Sequence, residues 1–380
     1  MNRSSRSWRT PARHLLAAIA ALASFVVVIP VGALLLTLWA VSAAARGLAR
    51  LTTPRTTGWK ELVEYAPEVG WKPRPGLDCH AEDLAGDPFH VVTDEEGYRG
   101  AHGLSHSEVV VFGDSFAFGY AADDEDLFLR HAGGARVTAL AAPGYSMVQP
   151  VLWMERLGAR LSGKLVVWMV YLGNDLYDSL RPSTDGYRSP AVRLGEDGTG
   201  PAIVTAHVRE GKIGFPRDRG VDAYVEICSG GLLSSRVFAA AEYLIERGWD
   251  ACRAAGADLV IVSIPELSAA PRAILERKLA LDDGAERFDE GLLDRTLAAI
   301  CERAGVGFVP LFEHMGPEHY LQVDWHWNRA GHRRVGRVLG DLHALWLDGR
   351  LSTGPGGAAD LPSEPPPSSD ARTSAAAREP

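Results

Sequence analysis

The sequence predicts an α/β fold, a parallel sheet with helices on both faces, preceded by one transmembrane helix. Three observations predict it. Short unbroken apolar runs recur between residues 109 and 309, stretches with helical apolar spacing alternate with them, and a 31-residue uncharged run stands ahead of both. The chain has 380 residues, 46% hydrophobic and 23% charged, which suits a globular protein with a sizeable core.

Residues 1–14 are basic, with Arg3, Arg6, Arg9 and Arg13. The run at 15–45 exceeds the roughly 20 apolar residues a spanning helix needs. A cleaved signal peptide has an apolar stretch of only about 7–15 residues, so an uncleaved anchor is expected. Pro30 would kink it, which membrane helices tolerate. Arg46, Arg50, Arg55 and Lys60 follow the span, so the basic flanks balance at four against four. The tighter N-terminal cluster favours a cytoplasmic N-terminus, with the body extracytoplasmic.

Residues 46–60 read as a linker. Residues 61–108, rich in Pro, Gly and charge, read as short strands and turns packing on the main domain. The runs at 109–112 (VVVF), 137–142, 165–172 (LVVWMVYL), 259–264 and 306–309 have the length and continuity of strands buried on both faces. Residues 148–160, 234–255 and 287–304 have amphipathic helical spacing, and 328–347 is expected to be the last helix. An insertion at 178–220 interrupts the alternation. It is expected to fold as a β-hairpin, with 201–208 and 213–215 joined through Glu210-Gly211, and to cap the substrate site. Residues 351–380 have the composition of a disordered tail.

The net charge of −9 is unevenly spread: residues 1–60 carry +8 and the remainder −17. A body this acidic excludes nucleic-acid binding, which rests on neutralising phosphates. Cys79, Cys228, Cys252 and Cys301 form no C-x-x-C pair. Structural zinc is therefore not expected, and isolated thiols are the plain reading, since a disulfide would need an oxidising compartment.

Chemistry concentrates at strand ends. The first apolar run leads into Phe112-Gly113-Asp114-Ser115, where a strand turns into a helix and a Ser stands beyond the carboxyl edge of the sheet. Taken alone, Asp114 or Ser115 would be a helix cap. The second run ends in Pro143-Gly144 and the third in Gly173-Asn174-Asp175, on the same edge. Ester cleavage builds charge on a carbonyl oxygen, and the Gly144 N–H and Asn174 amide are donors of the kind that stabilise it. Asp175 is expected to brace its loop. Asp324 and His326, just before the last helix, supply a base and the acid that orients it, on one face if the backbone there is extended.

These four blocks, Gly113-Asp114-Ser115, Gly144, Gly173-Asn174-Asp175 and Asp324…His326, resemble those of the SGNH (GDSL-like) hydrolases, in order and over residues 109–332. Gly97-Tyr98-Arg99 and His326-Trp327-Asn328 look like SGNH proteins associated with bacterial polysaccharide O-acetylation. The resemblance implies a flavodoxin-like sheet and ester hydrolysis or transfer with no cofactor and no metal. It makes Ser115 the nucleophile, His326 the base and Asp324 its orienting acid, with Ser115 N–H, Gly144 N–H and the Asn174 side chain as oxyanion hole. One residue separates Asp324 from His326 where the common family pattern has two, a spacing that the acetylation-associated proteins share. The implied substrate is an acetyl ester of a carbohydrate, small or polymeric, and the implied partner an envelope polysaccharide machinery. An O-acetyltransferase using the same triad is the alternative. Trp325 and Trp327 are candidate sugar-binding faces, with Trp327, next to His326, expected nearer the pocket.

Three other classes fit the residues less well. His314, His319, His326 and His332 crowd near Asp324 as zinc ligands would, but without H-E-x-x-H spacing. An α/β-hydrolase elbow needs G-x-S-x-G, and Ala117 stands where the second Gly belongs. A non-catalytic glycan-binding domain would not need every catalytic position filled.

Overall fold

The computed structural model describes residues 56–351, except 185–186, 196–199, 211–219 and 281–286, together with Leu15, Val31, Leu36 and Thr37. The chain divides into two units, Met1–Arg55 and Thr56–Pro380. In the first, the four described residues are helical. The rest of the membrane anchor expected at 15–45 lies outside the described residues, as does the tail beyond 351. Among the described residues no helix is long and apolar enough to cross a membrane.

The second unit opens earlier than the linker reading to residue 60 allowed. β1 (Thr56–Thr57) is already in a sheet, and Trp59 packs against the core behind it. β2 (Val63–Ala66) and β3 (Gly70–Pro73) form a hairpin. β4 (Asp78–Glu82) pairs in parallel with β1 and antiparallel with β5 (Pro88–Val92). Two β-branched threonines favour this edge pairing, and the chain has turned structured before its first apolar cluster.

After the one-turn helix α1 (Gly103–His106) the α/β alternation begins: β6 (Val109–Gly113), α2 (Ser115–Phe118), β7 (Val137–Ala141), α3 (Val148–Leu157), β8 (Leu165–Tyr171) and α4 (Asp175–Asp178). Short strands follow: β9 (Ser183–Thr184), β10 (Tyr187–Arg188), β11 (Ala191–Arg193) and β12 (Ala202–Val204). The last stretch is α5 (Gly220–Cys228), α6 (Leu232–Ala255), β13 (Asp258–Ile264), α7 (Ala269–Leu279), α8 (Leu292–Ala304), β14 (Gly307–Pro310) and α9 (Arg329–Leu347).

The five apolar runs are the five strands of one sheet, ordered β7-β6-β8-β13-β14 and parallel throughout. Numbered within the sheet this is 2-1-3-4-5, the flavodoxin-like order. Alternate residues face two separate cores. Val109, Val111, Met169, Val260 and Val262 pack with Val335, Leu339 and Leu342 of α9 and with Leu62, Phe89 and Val91 of the extension. Val110, Phe112, Trp168, Leu259 and Ile261 pack with α3, α6 and α8. Gly248 lets α6 approach closely, since a Cβ there would sit 3.1 Å from the Trp168 ring.

The insertion departs from the expected hairpin. β12 pairs backwards with β11, Val192 against Ile203, and 205–208 is a turn closed by Val208 N–H on Thr205 O. Val192 is the anchor: it is buried, and its N–H donates to Ser179 O at 2.8 Å, so β11 is tied to the end of α4 and offers the edge that β12 pairs with. Residues 213–215 lie outside the described residues. The helices α5 and α7 were not anticipated.

Candidate active site

In the 2-1-3-4-5 order, the chain leaves β6 towards β7 on one side and leaves β8 towards β13 on the other, so a crevice opens at the carboxyl ends of β6 and β8. Ser115 sits there as the first residue of α2. Only Gly fits at 113: a Cβ would lie 2.7 Å from that of Ala117 and 2.9 Å from Met169 O. Asp114 caps the helix, its carboxylate accepting Phe116 N–H at 2.9 Å. Burial, set against the attraction of His326, pushes the Asp114 carboxyl up to about 6.

Ser115 Oγ lies 2.7 Å from His326 Nε2, and His326 Nδ1 is hydrogen-bonded to Asp324. A carboxylate only accepts, so Nδ1 carries the proton and Nε2 is left to accept from the serine hydroxyl. Asp324 also accepts the His326 N–H at 3.1 Å and, on its other oxygen, the Leu84 N–H at 3.0 Å. Burial would raise the Asp324 carboxyl, but the hydrogen bonds it accepts from His326 and Leu84 outweigh it and hold it below the usual carboxylate range. The single-residue spacing works because the segment is not extended. Residues 322–326 are bends, and Asp324 folds back on the N–H two residues on, as in an Asx-turn.

The extension braces this site. Trp71 Nε1 donates to Pro143 O at 2.9 Å, and Tyr145 OH donates to Trp71 O at 2.6 Å, which grips the loop carrying Gly144 from both sides. Among the described residues no acceptor takes the Gly144 N–H, and Gly144 lines the same cleft as Ser115. Its φ of +77° is the left-handed conformation glycine adopts freely. Arg99, of Gly97-Tyr98-Arg99, is buried and donates to Phe118 O and Gly119 O, the last carbonyls of α2, at 3.0 and 2.9 Å.

Asn174 lines the cleft at the N-terminus of α4 and donates from Nδ2 to Asp178 at 2.8 Å. Asp175 points inward and accepts Tyr171 N–H at 2.9 Å. Burial, with the nearby charge of Asp114, holds its carboxyl well above the ordinary range. The cleft has a volume of about 410 Å³. Sequence reasoning missed much of its wall: Asp178, Arg181, Tyr224, Glu266 and Leu275, with Pro271 in the first turn of α7. Tyr171 donates its hydroxyl to Glu266 at the base.

The two tryptophans are the reverse of expectation. Trp325 is 40% exposed and lines the cleft, whereas Trp327 is 1% exposed and packs on Phe116, Phe128 and His332. Trp327 bridges to Tyr320 immediately before the α9 cap, which turns it under the sheet edge, while Trp325 stays on the bend above it. The four histidines do not converge. Gly316 N–H donates to His319, Phe128 N–H lies 3.4 Å from His332, and His314 sits by Arg334. Among the described residues no three His, Cys, Asp or Glu form a metal-ligand group, and all four cysteines are unpaired.

A serine hydroxyl, an imidazole with a free Nε2 and a buried carboxylate, facing a cleft with candidate N–H donors, can carry nucleophilic attack and proton return at an acyl carbon. No family model matches the sequence, and no curated protein does. Among solved structures it is similar to one described as "Crystal Structure of TesA", at 14% identity over 63% of this chain and 96% of that chain, with a TM-score of 0.32.

Proposed function

We propose that this protein is a serine esterase of the SGNH type, forming an acyl-enzyme on Ser115. The observation that carries the proposal is the continuous chain from Ser115 Oγ to His326 Nε2 at 2.7 Å and from His326 Nδ1 to Asp324. In the proposed reaction His326 takes the serine proton as Oγ attacks the ester carbonyl, then returns it to the leaving alcohol. Water, activated by the same imidazole, releases the acid. Ser115 N–H, Gly144 N–H and the Asn174 amide stabilise the oxyanion.

The substrate we propose is an acetyl ester of a carbohydrate, because the half-exposed face of Trp325 borders the cleft where a sugar ring would stack. Transfer of the acetyl group to a sugar hydroxyl would use the same residues. The uncharged run at 15–45 supports a membrane-anchored form, and the closer packing of Arg3, Arg6, Arg9 and Arg13 supports a cytoplasmic N-terminus with the esterase extracytoplasmic.

A fluorophosphonate probe should label the protein, and peptide mapping should place the adduct on Ser115. Ser115→Ala should lose labelling and lower aryl acetate turnover by at least about 10³-fold at an unchanged melting temperature. Turnover above a few per cent of wild type in that variant would overturn the proposal.

A further inference from the structure

The residues after β8 form a second layer behind the oxyanion donor. Asn174, Asp178 and Arg181 fall at i, i+4 and i+7, which brings them to one side of the turn that α4 begins. All three line the cleft. Asn174 Nδ2 donates to Asp178 Oδ2 at 2.8 Å, and Arg181 donates to Asp178 Oδ1 at 2.8 Å. Asp178 is buried, and its backbone N–H donates to Asn174 O at 2.8 Å, so donor and acceptor residues are tied twice. The Arg181 guanidinium lies over the Tyr177 ring at 5.2 Å, which fixes the far end of the series.

An asparagine amide has two ends of nearly the same shape. One donates two hydrogens and the other only accepts. If the amide turned over, a carbonyl oxygen would face the developing oxyanion and repel it. A carboxylate accepts and cannot donate, so it selects the end that meets it.

We propose that Asp178 is a positioning residue for the ester reaction: it holds the Asn174 amide with its nitrogen towards the cleft, and Arg181 holds Asp178 in turn. This rests on the reading of Ser115 as nucleophile and Asn174 as oxyanion donor. Asp178 then touches no reacting atom and acts wholly through Asn174. Asp178→Asn is the informative change, because the new side chain has the same size but can donate as well as accept, so both amide orientations become possible.

The test is a double-mutant cycle on an aryl acetate, run beside Ser115→Ala. Asn174→Ala should lower kcat by roughly 10²–10³-fold with little change in KM. Asp178→Asn alone should lower kcat by roughly tenfold or more with KM within about twofold, since one donor is misdirected part of the time. In the Asn174→Ala background the same change should cost less than about twofold. Arg181→Gln should give a smaller loss that also vanishes in that background, and it serves if Asp178→Asn does not fold. An equal loss in both backgrounds, or wild-type kcat in Asp178→Asn, overturns the positioning role while leaving the esterase standing. Wild-type kcat in Asn174→Ala overturns it too, because the residue would have nothing to position. Turnover retained in Ser115→Ala removes the esterase reading itself and this inference with it.

Discussion

Leu84 donates its backbone N–H to the carboxylate of Asp324 at 3.0 Å, across 240 residues of sequence. The turn between β4 and β5 therefore holds the carboxylate that is hydrogen-bonded to His326. Leu84 follows Asp83 in a turn closed by Gly86 N–H on Asp83 O, a position where proline is favoured. Leu84→Pro should keep the turn and delete one donor. A hydrogen bond to a charged group is worth about 1.5–3 kcal/mol, so kcat should fall by roughly tenfold or more. Steady-state kinetics with a melting curve check this, and a wild-type kcat in a folded variant would show that Asp324 needs no help from the extension.

The tryptophans on either side of His326 should separate binding from folding. Trp327→Ala removes a fully buried ring and should cost about 3–5 kcal/mol in urea unfolding. Trp325→Ala should change stability by less than about 0.5 kcal/mol. Its effect should appear in KM for acetylated sugars, with KM for an aryl acetate little altered. Equal effects on the two substrates would rule out sugar stacking.

Asp114 should show itself through pH. Its carboxyl is raised from 3.8 to about 6 by burial. Between roughly pH 4 and 6 the folded protein therefore holds more proton than the unfolded chain, and stability falls as pH rises through that window. Asp114→Asn carries no such charge and can still accept from Phe116 N–H. Its melting temperature should exceed that of wild type at pH 7, and the gap should close below about pH 4. A gap independent of pH would mean that Asp114 is not ionised at a cost.

Arg99 should be needed for folding. Replacement by Met would leave Phe118 O and Gly119 O without donors, and Asp124 with Arg130 but without its second cation 3.7 Å away, all in or near the core. Breaking a buried charged contact of this kind costs about 3–5 kcal/mol. Arg99→Lys should rescue little of it, because a single ammonium cannot meet Phe118 O and Gly119 O, which Nη1 reaches, together with His90 O and Asp124, which Nη2 reaches. A shift of the urea midpoint measures both variants.

The parts of the fold visible in the sequence are those with a strong local signature. Each sheet strand is a mostly apolar run, broken only by residues such as Thr138 and Ser263, and each of Ser115, Gly144 and Asn174 follows the end of one. What stayed hidden depends on distant contacts. Pro271 reads as a breaker yet stands in the first turn of α7, where its missing N–H has no helical partner to lose. Alternation along 323–328 predicts neither tryptophan, since the segment bends through an Asx-turn and its ring positions follow from the bridge to Tyr320. Asp178 is an unremarkable acid in the sequence until α4 winds it back onto Asn174.

The order of the site along the chain has a consequence for synthesis. Ser115, the proposed nucleophile, follows the first strand of the sheet, while its partner His326 stands in the loop before the final helix, 211 residues later. A growing chain on the ribosome thus carries a serine without a base for most of its elongation. On the proposed mechanism, competence arrives only when the loop before α9 packs on α2, with Trp327 against Phe116 and His326 against Ser115. On that reading, a chain stopped before residue 326 would be inert towards esters, however much of its sheet had formed.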